Sequence, residues 1–159
     1  MKNLNDSGQT ALLWQVTEIK VTYHNNTRIS ARPKINSSSE AEKVFRSLWS
    51  DDMELLEEFN ALFLNRANVV KGILRLSRGG ITGSVVDHRI LFATALKGLS
   101  TGVLVAHSNP SGNLVPSSQD IELTNKLSKV GLFHDIPLID HLILAPHEVY
   151  YSFKDDGRL

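Results

Sequence analysis

His107 and Asp120 are the residues of this chain whose types and setting best suit chemistry. From Val103 to Asp120 the sequence reads V-L-V-A-H-S-N-P-S-G-N-L-V-P-S-S-Q-D. The apolar run Val103-Leu104-Val105-Ala106 stops at His107, a turn rich in Ser, Asn, Pro and Gly follows, and a helix start falls at Ser117. That order predicts a buried strand, a loop and a helix N-terminus in succession. In α/β folds the carboxyl end of a strand followed by a helix N-terminus is the usual place for a site. His107 and Asp120 would both face that mouth, and imidazole and carboxylate are each competent zinc ligands. A hydrolytic zinc needs a few neutral or anionic protein ligands and an open position for water. It lowers the pKa of that water to about 7 and polarises a scissile carbonyl, and a carboxylate must then take the proton.

The same residues admit plainer accounts. His107 at a strand end could simply hydrogen-bond the loop. Ser117 and Asp120 form an S-x-x-D capping box, with Ser117 at the N-cap and Asp120 at the third helical position, which by itself accounts for both. Pro116 fixes the start of the helix, and Gly112 allows a tight turn.

The stretch resembles the metal motif of the JAB/MPN (JAMM) metallopeptidases in its RadC-like form, H-x-H-P-S-G-x-x-x-P-S-x-x-D. His107, Pro110, Ser111, Gly112, Pro116, Ser117 and Asp120 match it. Asn109 stands where the second histidine belongs, and ten residues separate it from Asp120, as the pattern requires. The resemblance extends to Glu57-Glu58-Phe59, Leu62, Leu64-Asn65 and Gly79 upstream, to Arg89 and Ala95, and to Asp140-His141-Leu142-Ile143 downstream. It covers roughly Ser37 to the C-terminus, leaving residues 1–36 as a separate N-terminal strand and connection. It implies an α-β-α sandwich of the MPN/JAB (cytidine deaminase-like) kind. It also implies zinc held by His107, position 109 and Asp120, with Glu57 as general base and Ser117 stabilising the oxyanion. Asn109 departs from this set, because zinc prefers imidazole or thiolate to a neutral amide oxygen. His141 is the first candidate to replace the missing ligand; His88, His134 and His147 are weaker ones. A metal that tolerates oxygen donors is a further option. Glu54 and Glu58 neighbour Glu57, a solvated charge is the usual fate of such a run, and strand alternation lets only one of Glu57 and Glu58 face the site.

The elements that must position these residues are legible in outline. Leu12, Trp14 and Val16 alternate in one phase and Ile19, Val21 and Tyr23 in the other, which predicts a strand with a bulge or break, ended by a turn at His24-Asn25-Asn26. Arg28 to Ile35, with Pro33, reads as an extended connection. Ser37, Ser38 and Ser39 offer N-caps to a helix from about Glu40 with an apolar stripe of Ala41, Val44, Phe45, Leu48 and Trp49. A short helical turn follows over Asp52 to Leu56. Glu57 to Leu64 predicts a strand with Phe59, Ala61 and Phe63 on one face and Leu62 and Leu64 on the other, so both faces should be covered. A turn at Asn65 to Asn68 leads into a strand over Val69 to Leu76, broken by Ser77-Arg78-Gly79-Gly80, with a short strand at Ile81 to Val85. Asp87 caps a helix carrying Phe92, Ala95, Leu96 and Leu99. After the strand at Gly102 to Ala106 and the motif loop, a helix from Ser117 to about Leu132 should bury Leu123, Leu127 and Val130. Strands at Leu138 to Ala145 and Glu148 to Phe153 close the chain, joined by a turn at Pro146-His147. Partial alternation of strands and helices predicts an α/β (α+β) fold, a mixed sheet flanked by helices.

At 159 residues one domain is expected, and a chain of this length can bury roughly two-thirds of its unfolded surface. Seventeen Lys and Arg balance 17 Asp and Glu, so charge calls for neither nucleic acid nor an anionic membrane. Without cysteine there are no disulfides and no thiolate metal sites. Met1 to Thr10 lacks an apolar signal core, and no apolar run reaches the length of a membrane span. A soluble, cytoplasmic domain is the expectation. Three functions compete. The first is a zinc metallopeptidase cleaving a peptide or isopeptide bond, impaired by Asn109. The second is a catalytically silent MPN scaffold that binds a protein partner. The third is DNA binding, suggested by the family's association with DNA repair and by Lys71, Arg75, Arg78, Arg28, Arg32 and Lys34, which are also ordinary surface charges. The helix-hairpin-helix module that precedes this domain in full-length RadC-like proteins is not expected in residues 1–36, which weakens a direct carry-over of a DNA role. Oligomeric state is not legible.

Overall fold

The structure, a computed structural model, describes residues 27–49, 53–79, 86–147 and 149–159. The expected strands at Leu12 to Tyr23 and Ile81 to Val85 lie outside them. In chain order the described elements are α1 (Ser38–Leu48), β1 (Glu58–Leu64), β2 (Val70–Arg78), α2 (His88–Lys97), β3 (Gly102–Ser108), α3 (Ser118–Phe133), β4 (Leu138–Leu144) and β5 (Tyr150–Ser152). The connection expected to be extended over Arg28 to Ile35 instead holds a 3₁₀ turn at Ile29–Ala31 before α1. The strands form one mixed sheet in the order β2-β1-β3-β4-β5. β1 runs antiparallel to both β2 and β3, β3 is parallel to β4, and β5 returns antiparallel to β4. The parallel pair requires a crossover, and α3 supplies it.

Each face of the sheet buries its own core. Leu62, Leu64, Leu104, Ala106, Leu142 and Leu144 pack with Ala41, Phe45 and Trp49 of the α1 region. Phe59, Ala61, Phe63, Val103 and Val105 pack with Leu91, Phe92 and Ala95 of α2 and Leu127 of α3. This is the expected α-β-α sandwich, and every residue of β1 and β3 is buried, as central strands covered on both faces should be. Alternation along a strand sends successive side chains to opposite faces, so parity decides which residues meet α3. α1 begins as the sequence predicts, with the Ser37 hydroxyl accepting from the Glu40 amide. The Asn65 to Asn68 turn also forms. Asn68 donates to the Asn65 carbonyl at 2.9 Å and takes a φ of +59°, and the Asn65 side chain accepts from the Ala67 and Val69 amides.

Two further expectations are corrected. β2 does not stop at Leu76: Ser77 and Arg78 still pair with Phe59 and Glu58, and Leu76 is the extra residue of a bulge. α2 buries Leu91, Phe92 and Ala95, whereas Leu96 and Leu99 are exposed. The helix ends at Lys97, and Leu99 has a φ of +48°, so it belongs to the reversal after the helix rather than to its apolar face. In α3, Leu127 is fully buried, while Leu123 and Val130 are half-buried and pack against the same core. Gly131 of α3 lies so close to the following loop that a Cβ would stand 2.6 Å from the Ile136 carbonyl oxygen. A glycine here lets the chain turn tightly into β4. No helix among the described residues is long and apolar enough to cross a membrane.

Candidate functional site

Parity in the sheet brings four segments together at the carboxyl end of β3. Val103 and Val105 face α2 and α3, so His107 does too. Phe59 pairs with His107 across the β1–β3 ladder, and Glu57 precedes Phe59 by two residues, on the same side. Glu58 falls on the other face, is buried, and lies 3.3 Å from Arg78. The Ser108 hydroxyl fastens these segments: it accepts from the Glu58 amide at 2.9 Å and donates to the Leu56 carbonyl at 3.2 Å. Asp120 and Thr124 enter from the first turns of α3, and His141 from β4.

The polar contacts are specific. His107 Nε2 lies 3.5 Å from Asp120 Oδ1. On the far side of the ring, His107 Nδ1 is 2.9 Å from His141 Nε2. His141 Nδ1 is 2.7 Å from the Thr124 hydroxyl, which in turn donates to the Asp120 carbonyl at 2.6 Å. Aromatic rings wall this file. Phe153 stacks on His141 with centroids 4.9 Å apart, and Phe59 lies parallel to His107 at 6.2 Å. The capping box read from the sequence is present in full. Ser117 Oγ accepts from the Asp120 amide at 3.1 Å, while Asp120 Oδ2 accepts from the Ser117 amide at 2.8 Å and its hydroxyl at 2.6 Å. The single hydroxyl proton of Ser117 is thus already committed to Asp120.

Asn109 is turned into its own loop. Its side-chain oxygen accepts from the Ser111 amide at 3.2 Å and the Ser111 hydroxyl at 2.8 Å, and its NH₂ donates to the Asn113 carbonyl at 2.9 Å. Its backbone amide donates to Leu144 at 2.7 Å, holding the loop start to the end of β4. His134 stands at the opposite end of α3 from Asp120, with its ring 5.9 Å from that of Phe92. His88 heads α2, and His147 sits in the β4–β5 connection.

Burial sets the electrostatics. His141 is fully enclosed, and loss of hydration pushes its imidazole well below the ordinary value of 6.5, with the neighbouring His107 adding to the shift. His107, 7% exposed, is lowered by burial against the opposing pull of the Asp120 charge. Burial thus favours the neutral form of both rings. Glu57 is raised by burial first and by the negative charge of Asp120 second, so the two carboxyls share one neighbourhood.

The donor set does not fit a hydrolytic zinc, which takes three protein ligands and a water. His107 and Asp120 converge, but the Asn109 amide is spent on the loop, and His141 lies behind the His107 ring with both nitrogens occupied. Among the described residues no group of three or more His, Asp or Glu side chains could hold a metal ion. Sequence reasoning did not single out Thr124 or Ser108. The signal for Thr124 was its position four residues after Asp120 and three before Leu127, on the inner face of α3.

A mixed sheet between helices, with a histidine near the end of β3 and an aspartate in the first turn of α3, defines a JAB-type domain. The chain matches the family model described as RadC-like JAB domain over residues 35–158, and it belongs to that family. It is 40% identical over 124 residues to a UPF0758 protein of Flavobacterium johnsoniae, a match covering 78% of this chain and 53% of that protein. A UPF0758 protein of Porphyromonas gingivalis is 33% identical over 128 residues, covering 80% of this chain and 56% of the relative. A UPF0758 protein of Staphylococcus haemolyticus is 30% identical over 150 residues, covering 91% and 64%. The chain thus spans between about half and two thirds of the length of these curated relatives.

Proposed function

We propose that this chain is a degenerate JAMM-type metallopeptidase domain. It keeps the fold and the neighbouring carboxyls Glu57 and Asp120, lacks a complete zinc site, and serves as a scaffold that binds a protein or peptide partner. The bonding of Asn109 carries this reading: an amide with both polar atoms engaged in its own loop is a turn residue, not a ligand. His141 offers no replacement, because releasing either of its nitrogens would leave a buried polar group unpaired.

A ligand that binds only the native state raises stability. Thermal unfolding with and without added zinc therefore tests the reading. The expected result is an unchanged melting temperature for the natural chain and a clear rise for Asn109→His. A zinc-dependent rise in the natural chain would overturn it.

A second reading has one observation in its favour. Glu57 stands within the field of Asp120 and has a raised carboxyl, as a general base tuned toward neutrality would. On that reading the chain is an impaired zinc hydrolase, and it would show slow, chelator-sensitive peptide cleavage abolished by Glu57→Gln. Four of the six cations named for a DNA role have partners within the chain. Arg32, Lys71 and Arg75 donate to backbone carbonyls, and Arg78 lies beside Glu58.

A further inference from the structure

The contacts among Thr124, His141 and His107 form a single file in which each proton constrains the next. Thr124 has one hydroxyl proton. It lies 2.6 Å from the Asp120 carbonyl oxygen, which can only accept, and 2.7 Å from His141 Nδ1. With that proton on the carbonyl, His141 Nδ1 must carry the hydrogen between itself and Thr124. A neutral imidazole has one N–H, so His141 Nε2 is an acceptor. His107 Nδ1, 2.9 Å away, must then be the donor. The remaining nitrogen of His107, Nε2, is left bare and faces Asp120 Oδ1.

The opposite sense of the file is disfavoured at both ends. The Thr124 and Asp120 oxygens would meet lone pair to lone pair at 2.6 Å. At the other end, a His107 Nε2–H would have to reach Asp120 Oδ1 across 3.5 Å, longer than the 2.7–3.2 Å range of N–H···O bonds.

We propose that Thr124 is a positioning residue that acts through His141 to fix the His107 tautomer with Nδ1 protonated and Nε2 bare. The inference concerns the two ligands that the degenerate-site reading leaves in place, and it rests on that reading for its functional sense. His107 Nε2 and Asp120 Oδ1 become two acceptors 3.5 Å apart, so the pair seeks a cation or a donated proton. The loss of the third ligand at position 109 has left this orienting apparatus whole.

The experiment is the long-range ¹⁵N–¹H spectrum of the histidine side chains, recorded on the full chain with chelator present, at a pH well above the ordinary histidine value. A protonated ring nitrogen and a bare one resonate far apart, so the tautomer is read directly. The expected result is a bare Nε2 in His107 and a bare Nε2 in His141. Thr124→Ser, which keeps the hydroxyl, should give the same pattern. Thr124→Val, which keeps the shape but not the hydroxyl, should mix or invert the His107 tautomer. A His107 with Nε2–H in the natural chain overturns the proposal, and that measurement needs no variant. If Thr124→Val folds and leaves His107 wholly in the Nδ1–H form, or Thr124→Ser inverts it, Thr124 does not set the tautomer. Zinc binding does not enter this test, so the proposal and the degenerate-site reading can fail separately.

Discussion

Asp140 and Asp120 are two carboxylates of one domain put to different uses. Asp140 is 2% exposed, and both its oxygens are taken: Oδ1 accepts from the His141 and Lys154 amides, Oδ2 from the Ser152 hydroxyl. It ties the start of β4 to the turn after β5. Asp120 has one oxygen held by Ser117, while the other faces His107 Nε2 and receives no hydrogen bond from the described residues. A carboxylate saturated by donors is a structural fastener. One clamped on a single side, with its second oxygen facing a histidine nitrogen, keeps an acceptor in hand. The difference lies in what surrounds each group, because the residue type is the same.

This contrast can be broken in graded ways. The largest effect is expected from Asp140→Ala, which leaves three donors unpaired, two of them amides at the edge of the core. Chemical denaturation should show a loss of about 3–4 kcal/mol; a loss under 1 kcal/mol would remove the fastener reading. Next comes the orienting file. In an Asn109→His background, Thr124→Val should weaken zinc affinity about 10–100-fold, the usual cost of removing a group that orients a metal ligand, measured by competition with a chelating dye. Ser117→Ala should cost about 1 kcal/mol through loss of the N-cap, read from the same denaturation curves.

The smallest effect concerns Glu57. Burial and the Asp120 charge raise its carboxyl above 4.5, so the folded chain holds this proton more tightly than the unfolded one. Its contribution to stability is fully present below pH 4.5 and is lost as pH rises through the raised folded value. Asp120→Asn removes the second cause and leaves the first. The Glu57 titration, followed by carbonyl ¹³C shifts, should then move down but stay above 4.5.

Much of the positioning was legible in the sequence, because it depends on alternation and capping. The two faces of β1 followed from Phe59, Ala61 and Phe63 against Leu62 and Leu64, and the start of α3 from the S-x-x-D spacing. Position 109 was marked as a departure by the motif's own register. What Asn109 does instead was not legible from that register. Asn65 shows the same behaviour at the other end of the sheet, accepting backbone amides within its own turn. Both are asparagines in tight loops, where a short amide side chain satisfies nearby backbone groups. The place of His141 was hidden for a different reason. It meets His107 through the parallel β3–β4 pairing, whose register shifts between Val103 and Leu104. No sequence spacing encodes that shift. His141, the first candidate for the missing ligand, thus comes close to His107, but behind its ring rather than beside the open nitrogen. Thr124 escaped attention because a threonine on a helix face acquires a role only when a strand histidine is laid against it.

The central claim, that Asn109 has cost this domain its zinc, is tested most directly by counting metal. Elemental analysis after dialysis should find essentially no zinc in the natural chain and close to one zinc per chain in Asn109→His. Near-stoichiometric zinc in the natural chain would contradict the account, because another group would then have taken the place of the missing histidine.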